Sequence, residues 1–228
     1  MWLSFDRFNI LIDPGPGALI RMFERGLDPR DVDIFILSHR HLDHTADINA
    51  VLESATESTK KKKDILICPK DALKDCDSVV LPYLQKGLKS IEFIHEGKTI
   101  KYKNISINGL IKHIHKGADT YGLEIKNDSK SFVYVPCGRF FEGMLDGYPK
   151  GADLMVFNTT FTRPVPNVDH LSASDVRKML LKLKPKKAII THFSVQMLKA
   201  SPQKVAENLS KETNVEVIAS KDGLKVEF

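Results

Sequence analysis

The chain has 228 residues and a formal net charge of +5, with 42% hydrophobic and 28% charged residues, as is ordinary for a soluble globular protein. It contains no run of about 18 apolar residues, so no membrane span is expected. Its N-terminal segment lacks the basic start and long apolar stretch of a signal peptide, which makes the cytoplasm the expected location. The mild positive charge favours anionic substrates.

The cysteine pattern argues against a disulfide scaffold. Cys68, Cys76 and Cys137 are the only three cysteines, and they form no CxxC pair. An odd count without such pairs favours reduced thiols.

The first part of the chain alternates short strand patterns with helical ones. A strand is predicted over residues 8–13, and the Pro/Gly-rich residues 14–17 predict a turn after it. A helix over residues 18–25, with Gly26 as its C-cap, leads to a buried strand over residues 34–37. The lysine run at residues 60–63 predicts a flexible loop, with a phosphate-attracting patch as the alternative. A strand over residues 65–68 and helical stretches up to about residue 86 follow.

The second part is rich in predicted strands. A helix with Leu171 or Ser172 at its start covers residues 172–184 and ends at Pro185. A strand over residues 188–191 runs into His192, and another helix covers residues 201–210. The remaining strands are predicted over residues 91–94, 99–103, 105–115, 121–126, 131–135, 154–157, 215–218 and 224–228. Because no Pro/Gly/Ser-rich linker interrupts the chain, we expect one domain over residues 1–228, with two facing sheets and helices outside.

Three of the eight histidines lie in one short segment, SHRHLDH, directly after an apolar strand. His39, His41, Asp43 and His44 offer imidazole and carboxylate ligands, which suit zinc and also iron or manganese. One short loop cannot surround an ion completely. His39 and His41 could therefore share one ion while Asp43 and His44 serve a second. The alternative interpretation is a charged helix-capping loop.

This string resembles the signature of the metallo-β-lactamase superfamily, and further motifs follow in that family's order. The resemblance implies that Asp13 supports the metal loop by hydrogen bonding without binding metal, and that His192 is the last metal ligand. His113 or His115 resembles the histidine of the third motif. The two would face the same side of a strand. His115, which lies nearer to Gly122, is favoured as the ligand, which leaves His113 as a supporting or core residue.

The resemblance also implies an α/β fold of four αββα layers, two facing mixed β-sheets flanked by helices. The family usually has one more strand before residues 8–13, so the N-terminus looks shortened.

One position departs from the family pattern. The family places an aspartate that bridges two metals after the strand at residues 131–135, where this sequence has Pro136, Cys137 and Gly138. A thiolate is a good zinc donor, so Cys137 is predicted to bind metal and to favour zinc over manganese. The alternative is a buried, inert cysteine with one metal site weakened or missing.

Two metal ions can clamp a reacting oxygen and lower the pKa of bound water to about 7, which defines a hydrolytic reaction but no substrate. Asp43 is predicted to orient this water as well as to bind metal. The string DHLSA, residues 169–173, resembles an element of ribonuclease Z and related phosphodiesterases. It implies that His170 contacts the scissile phosphate and protonates the leaving oxygen, a role that suits histidine. The alternative is that Asp169 and Ser172 only cap the helix, with His170 exposed.

The predicted function is therefore a hydrolase with two zinc ions, or manganese or iron instead, acting on a phosphodiester in an anionic small molecule or at an RNA terminus. No insertion resembles the tRNA-gripping arm of ribonuclease Z. Arg139 and Arg163 are predicted to be surface residues, with contact to an anionic group as the alternative. A lactone or thioester hydrolase and a non-catalytic metal-binding protein are the competing functions, and a homodimer is left open.

Overall fold

In the computed structural model, which describes residues 1–74 and 77–228, apolar strands assemble into two mixed β-sheets. Each sheet lies in its own unit, the first unit being Met1–Ile94 and the second His95–Phe228. Among the described residues, Cys68 and Cys137 form no disulfide bond, which agrees with the expectation of reduced thiols. Cys76 lies outside the described residues. The single domain over residues 1–228 stays a prediction.

The first unit contains a five-stranded sheet in sequential order. Its first two strands form an antiparallel hairpin, and the later strands run parallel to the second. The strands are β1 (Trp2–Phe5), β2 (Phe8–Ile12), β3 (Ile34–Ile36), β4 (Lys63–Cys68) and β5 (Leu88–Phe93). The helices are α1 (Ala18–Glu24), α2 (Leu42–Thr45), α3 (Ile48–Ala55) and α4 (Pro82–Gln85), with 3-10 turns at Pro29–Asp31 and Lys70–Leu73.

Helix α3 shows how the sequence builds this unit. Ile48, Val51, Leu52 and Ala55 recur at helical spacing and are all buried in one core with the apolar side chains of β3 and β4. The sequence prediction missed this helix and the short α2. It also missed β1, so a strand does precede residues 8–13, contrary to the expectation. The lysine run is partly ordered: Lys63 begins β4, and the Lys61 ammonium pairs with Glu57.

The second unit contains an eight-stranded sheet in the order β13-β12-β10-β9-β8-β7-β6, with β11 pairing on β10. Strands β9, β10, β12 and β13 run parallel, and β6 to β9 are joined by antiparallel pairing. The strands are β6 (Thr99–Tyr102), β7 (Ile105–Lys112), β8 (Tyr121–Lys126), β9 (Ser131–Val135), β10 (Leu154–Phe161), β11 (Leu171–Ser172), β12 (Lys187–Thr191) and β13 (Glu216–Ala219). The helices are α5 (Met144–Gly147), α6 (Ala173–Leu183), α7 (Val195–Lys199) and α8 (Pro202–Thr213).

Helix α6 begins where the sequence predicts. Ser172 is its N-cap, and Ser172 and Asp175 form a capping box in which each side chain accepts a hydrogen bond from the other's backbone N–H. Val176, Met179 and Leu180 on the inner face pack into the core of this unit.

Two predictions for this unit are wrong. Residues 224–228 alternate like a strand but form none. Strand β7 ends at Lys112, after a register shift in its pairing with β8, and Ile114 instead forms an isolated bridge with Arg139. His113 and His115 therefore do not share one face of a strand.

The parallel strands position the candidate site. In the first unit, Asp13 directly follows β2 and the segment of residues 38–44 follows β3. In the second unit, Cys137 follows β9 by two residues and His192 directly follows β12. All of these residues lie beyond the carboxyl ends of parallel strands, the edge where α/β sheets bind ligands. Within residues 1–74 and 77–228, no helix is long and apolar enough to cross a membrane.

Candidate metal-binding clusters

Asp13 orders the first cluster, the candidate ligands of residues 39–44, through hydrogen bonds. Its Oδ1 accepts a hydrogen bond from the Ser38 backbone N–H at 2.7 Å, and its Oδ2 accepts one from the Ser38 hydroxyl at 2.6 Å. The Nδ1–H of His44 donates to the same Oδ2 at 2.9 Å. Burial alone would raise the pKa of Asp13, but the hydrogen bonds and the nearby histidines outweigh it and lower the pKa to about 2. The predicted supporting role of Asp13 through hydrogen bonds is confirmed.

These hydrogen bonds place a proton on Nδ1 of two histidines. The single hydroxyl hydrogen of Ser38 is used on Asp13, so at 3.0 Å the Nδ1–H of His39 donates to the Ser38 oxygen. His44 also carries a proton on Nδ1, since that nitrogen faces a carboxylate. Its Nε2 faces a second carboxylate, that of Asp43, at 3.5 Å. A proton on Nδ1 makes Nε2 the nitrogen through which a histidine binds metal.

The predicted ligands of this segment lie together. The ring centroid of His39 is 4.8 Å from that of His41 and 4.1 Å from that of His44. A carboxylate oxygen of Asp43 lies 3.5 Å from His44 Nε2, although the Asp43 side chain is 60% exposed. His41 is the N-cap of helix α2, so the backbone of this segment starts a helix, as the helix-capping alternative predicted. The side chains nevertheless cluster, as the metal-binding interpretation requires.

The Pro/Gly turn after Asp13 is pressed against this cluster. A Cβ added to Gly15 would lie only 2.0 Å from the backbone oxygen of Asp43, so no other residue fits there. The backbone oxygen of Pro14 also accepts a hydrogen bond from the Asp47 N–H. Glycine is therefore required for the close approach of residue 15 to the segment of residues 38–44.

In the second unit, both ring nitrogens of His113 are occupied. Its Nδ1–H donates to the Cys137 carbonyl at 2.9 Å, and its Nε2 accepts from the Tyr148 hydroxyl at 2.6 Å. Burial raises the pKa of Tyr148 well above its usual value and lowers that of His113 to about 4, so both stay neutral. A ring engaged at both nitrogens is a poor ligand, which agrees with the expectation that His113 is a core residue.

His115 is held differently, and Asp169 is the residue that holds it. The Nδ1–H of His115 donates to the Asp169 carbonyl at 3.0 Å, which leaves the lone pair on Nε2. The Asp169 carboxylate accepts from the Lys116 N–H and lies 3.4 Å from the Arg139 guanidinium. Asp169 thus braces the His115 loop and does not cap helix α6. Arg139 and Arg163 are exposed, as predicted.

Cys137 and His192 lie side by side. The Cys137 sulfur is 3.5 Å from His192 Nε2, and His192 Nδ1 contacts the Thr160 hydroxyl at 3.1 Å. The Asn158 amide nitrogen donates to the same sulfur at 3.3 Å. His192 has φ 65°, a left-handed backbone that non-glycine residues seldom adopt and that often marks functional positions.

His170 lies among these groups and is only partly exposed, contrary to the exposed alternative. Its ring stands 5.2 Å from that of His115 at a right angle and stacks on that of His192 at 5.6 Å. Its Nδ1 is buried without a hydrogen-bond partner in the described part of the chain. One ligand atom each from His115, Cys137 and His170 lie within 4.8 Å of one another. The structure thus adds His170 to the groups near a candidate metal position.

The donor set fits transition-metal ions. His39, His44 and His115 each direct Nδ1–H to a protein oxygen, the arrangement that metal-binding histidines show. Two ligands of one tetrahedral zinc, bound at about 2.0–2.3 Å, stand about 3.5 Å apart, which matches the distance between the Cys137 sulfur and His192 Nε2. Imidazole and thiolate together suit zinc.

Three supporting residues escaped the sequence analysis: Tyr148, Asn158 and Thr160. Their only signal in the sequence is polar character in apolar surroundings, as in the buried strand β10, where burying an unpaired polar group is costly. Their partners lie far away in sequence, so the pattern reveals that they need partners but not which ones.

The chain is similar to known proteins in both sequence and structure. A family profile described as a beta-lactamase superfamily domain matches residues 8–193. An uncharacterised protein of Methanocaldococcus jannaschii is 26% identical over 228 residues, which cover 95% of this chain and 82% of the relative. A ribonuclease Z of Agathobacter rectalis is 26% identical over 134 residues, which cover 58% of this chain and 44% of that enzyme.

Among solved structures, the metallo-beta-lactamase fold protein YhfI from Bacillus subtilis superposes with a TM-score of 0.81. The two chains are 16% identical, and the alignment covers 98% of this chain and 88% of that one. At this identity the likeness concerns the fold. The chain matches less than half of the ribonuclease Z, so that enzyme's activity does not transfer with the match.

Proposed function

The chain belongs to the β-lactamase superfamily and has the metallo-β-lactamase fold of two mixed sheets flanked by helices, and from this premise we propose that it is a metal-dependent hydrolase of phosphodiesters. Members of this superfamily are hydrolases that bind divalent metal ions. The proposal takes the metal ligands from both clusters: His39, His41, Asp43 and His44 in the first unit, and His115, Cys137 and His192 in the second. Zinc, in two ions, is the proposed metal, with manganese or iron as the alternatives.

The observation that carries this proposal is the anchoring of the candidate ligand rings at Nδ1. His39, His44 and His115 each have Nδ1 anchored by a protein oxygen. The core residue His113 has the same anchor, but the Tyr148 hydroxyl occupies its Nε2, the nitrogen that would bind metal. In a ligand, the anchor fixes the orientation of the ring and the nitrogen that binds.

When bound, zinc supplies a polarising charge that makes water acidic enough to ionise near neutral pH. The chain's own residues prepare the site for this chemistry. Asp13 holds the His44 ring and, through Ser38, the His39 ring. Asp43, exposed next to His44, is placed to accept a hydrogen bond from the attacking water and orient it.

The phosphodiester preference rests on His170. Its ring stands between those of His115 and His192, and Nδ1 is buried. Proton transfer by His170 therefore falls to Nε2, which we propose protonates the leaving oxygen of the substrate. Ser172, two residues after His170, is fixed at the start of helix α6 by its capping box, which limits the movement of the His170 ring. The substrate would be an anionic small molecule or an RNA terminus.

The test begins with metal analysis of the purified protein, followed by assays on bis(p-nitrophenyl) phosphate, a lactone and a thioester. We expect stoichiometric zinc and phosphodiester turnover that His170→Ala lowers at least 100-fold without loss of metal, since general acid catalysis contributes about 10²–10⁴-fold. His95→Ala is the matched control, because His95 is an exposed histidine that hydrogen-bonds only the neighbouring Glu96 carbonyl.

Unchanged turnover in His170→Ala would remove the role of that residue. Turnover of only the lactone or thioester would favour hydrolysis of another ester-like bond. Stoichiometric metal with no turnover would favour a non-catalytic metal-binding protein, for which Cys137 in the usual aspartate position is the supporting observation.

A further inference from the structure

Cys137 is held both at its sulfur and at its backbone by hydrogen bonds from buried side chains. At the backbone, its carbonyl accepts the Nδ1–H of His113, and the Tyr148 hydroxyl holds the other side of that ring. At the sulfur, the Asn158 side chain provides a contact of 3.3 Å. Cys137, His113, Tyr148 and Asn158 are all buried.

The Asn158 side chain offers an N–H donor to the Cys137 sulfur. A thiolate has no hydrogen to donate, so only the amide nitrogen, not the amide oxygen, can bond to it. The amide nitrogen faces the sulfur, and the Tyr134 hydroxyl contacts both ends of the amide, at 3.0 Å from the nitrogen and 3.3 Å from the oxygen, which holds the amide in place. Strand β10 therefore presents a donor to the cysteine from a rigid position in the sheet.

Close packing around the Cys137 backbone excludes a side chain at two nearby glycines. Gly138 has φ 151°, and a Cβ there would lie 2.7 Å from the His113 Cβ. A Cβ on Gly122 would lie 2.2 Å from the Tyr148 hydroxyl oxygen. Two glycines thus allow the His113–Tyr148 pair to pack against the Cys137 segment, which fixes the position of the Cys137 backbone.

We propose, on the basis of the proposed metal-dependent function, that Asn158 is a positioning residue that holds the Cys137 sulfur as a metal ligand and so makes the second unit selective for cations that accept sulfur. Zinc and cobalt(II) are such cations, and manganese, which prefers oxygen ligands, is not. Hydrogen bonds to a ligand atom orient it and tune the bound metal, and their loss typically lowers metal affinity about 10–100-fold.

The experiment is a cobalt(II) titration of the metal-free full-length protein, followed by absorption spectroscopy. The parent protein should show a thiolate-to-cobalt charge-transfer band in the near ultraviolet, and Cys137→Ser should not. Asn158→Asp keeps the shape of the side chain and removes the N–H donor, so it should weaken cobalt binding about 10-fold or more and diminish the band. Asn127→Asp, the same change in a surface turn, should match the parent.

Two further variants guard against misfolding and test selectivity. Tyr134→Phe leaves the Asn158 amide in place but removes the hydroxyl that orients it, so it should weaken cobalt binding in the same direction by a smaller factor. Cys137→Asp restores the carboxylate usual in the family and should shift the preference from cobalt towards manganese.

Parent-like affinity and an undiminished band in folded Asn158→Asp would overturn the proposal, as would an unchanged affinity in Tyr134→Phe if Asn158→Asp fails to fold. A band that persists in Cys137→Ser would also overturn it. The outcome is independent of catalysis: if no substrate is hydrolysed while the cobalt results hold, the proposed function fails and this inference stands.

Discussion

Replacing Asp13 by asparagine changes the tautomer of His44 without changing the shape of the side chain. The carboxylate accepts from the Ser38 N–H on one oxygen, and from the Ser38 hydroxyl and His44 Nδ1–H on the other. An asparagine that keeps the first bond turns its amide nitrogen towards His44. The ring must then accept at Nδ1 and carry its proton on Nε2, which removes the lone pair that would bind metal.

The size of the effect follows from the lost contacts. Hydrogen bonds to charged groups contribute about 1.5–3 kcal/mol each, and Oδ2 accepts two of them, from the Ser38 hydroxyl and from His44, so the free energy of unfolding of the metal-free protein should fall by about 3–6 kcal/mol. Metal affinity should fall about 10–100-fold, as is typical when the hydrogen-bond partner of a ligand is removed. Asparagine tolerates the left-handed φ of 48° at this position, so backbone strain adds little.

Urea unfolding of metal-free protein and zinc competition with a chelator measure the two effects separately. Asp33→Asn is the matched control: Asp33 accepts a backbone hydrogen bond from Asn9 in the same sheet but contacts no candidate ligand. It should bind zinc like the parent. Equal zinc affinity in Asp13→Asn and the parent would show that Asp13 does not set the tautomer of His44.

Three further predictions concern other buried positions. Gly15→Ala forces a methyl group against the Asp43 backbone oxygen and should destabilise the protein by about 1–3 kcal/mol in thermal or urea unfolding, and a wild-type midpoint would contradict the close approach. Burial raises the pKa of Cys68 to about 12, so it stays a thiol at pH 8 and should resist iodoacetamide in the native protein, as read by peptide mass spectrometry, but react after unfolding. Burial lowers the pKa of His113 to about 4, below its unfolded value of about 6.5, so its contribution of about 3 kcal/mol is present above pH 6.5 and lost as pH falls towards 4. A His113→Gln variant should lose less stability than the parent between pH 7 and pH 4, and equal losses would refute this.

The strands that carry the site could be predicted because their signals are local. Asp13 and His192 each end an apolar run, and the carboxyl ends of parallel strands are where ligands gather. The clustering of His39, His41 and His44 was also visible, since they lie within six residues.

Other parts of the fold depended on partners distant in sequence. The residues of α3 have helical spacing, and the sequence analysis overlooked this signal in the segment after the metal loop. The turn between β1 and β2 has a left-handed Asp6 in place of glycine, so the usual hairpin signature is missing. Residues 224–228 alternate in polarity, but alternation produces a strand only where a neighbouring strand offers hydrogen bonds.

The supporting residues show the same limit at the level of the site. The string DHLSA suggested a role for His170, but nothing local indicates that the Asp169 carbonyl anchors His115, 54 positions earlier in the chain. Likewise, the sequence favoured His115 over His113 as the ligand, but nothing local indicated that the Tyr148 hydroxyl engages His113.

The left-handed backbone of His192 decides how mutational scans of this position should be interpreted. Alanine there would lose the imidazole and would also adopt the left-handed backbone less readily than histidine, which is enriched in that region, so a lower stability would report two effects at once. Asparagine visits that conformation readily and is the cleaner replacement. In a library covering all residues at this position, variants with asparagine, aspartate or glycine should be recovered as folded proteins more often than variants with β-branched residues, whether or not they bind metal.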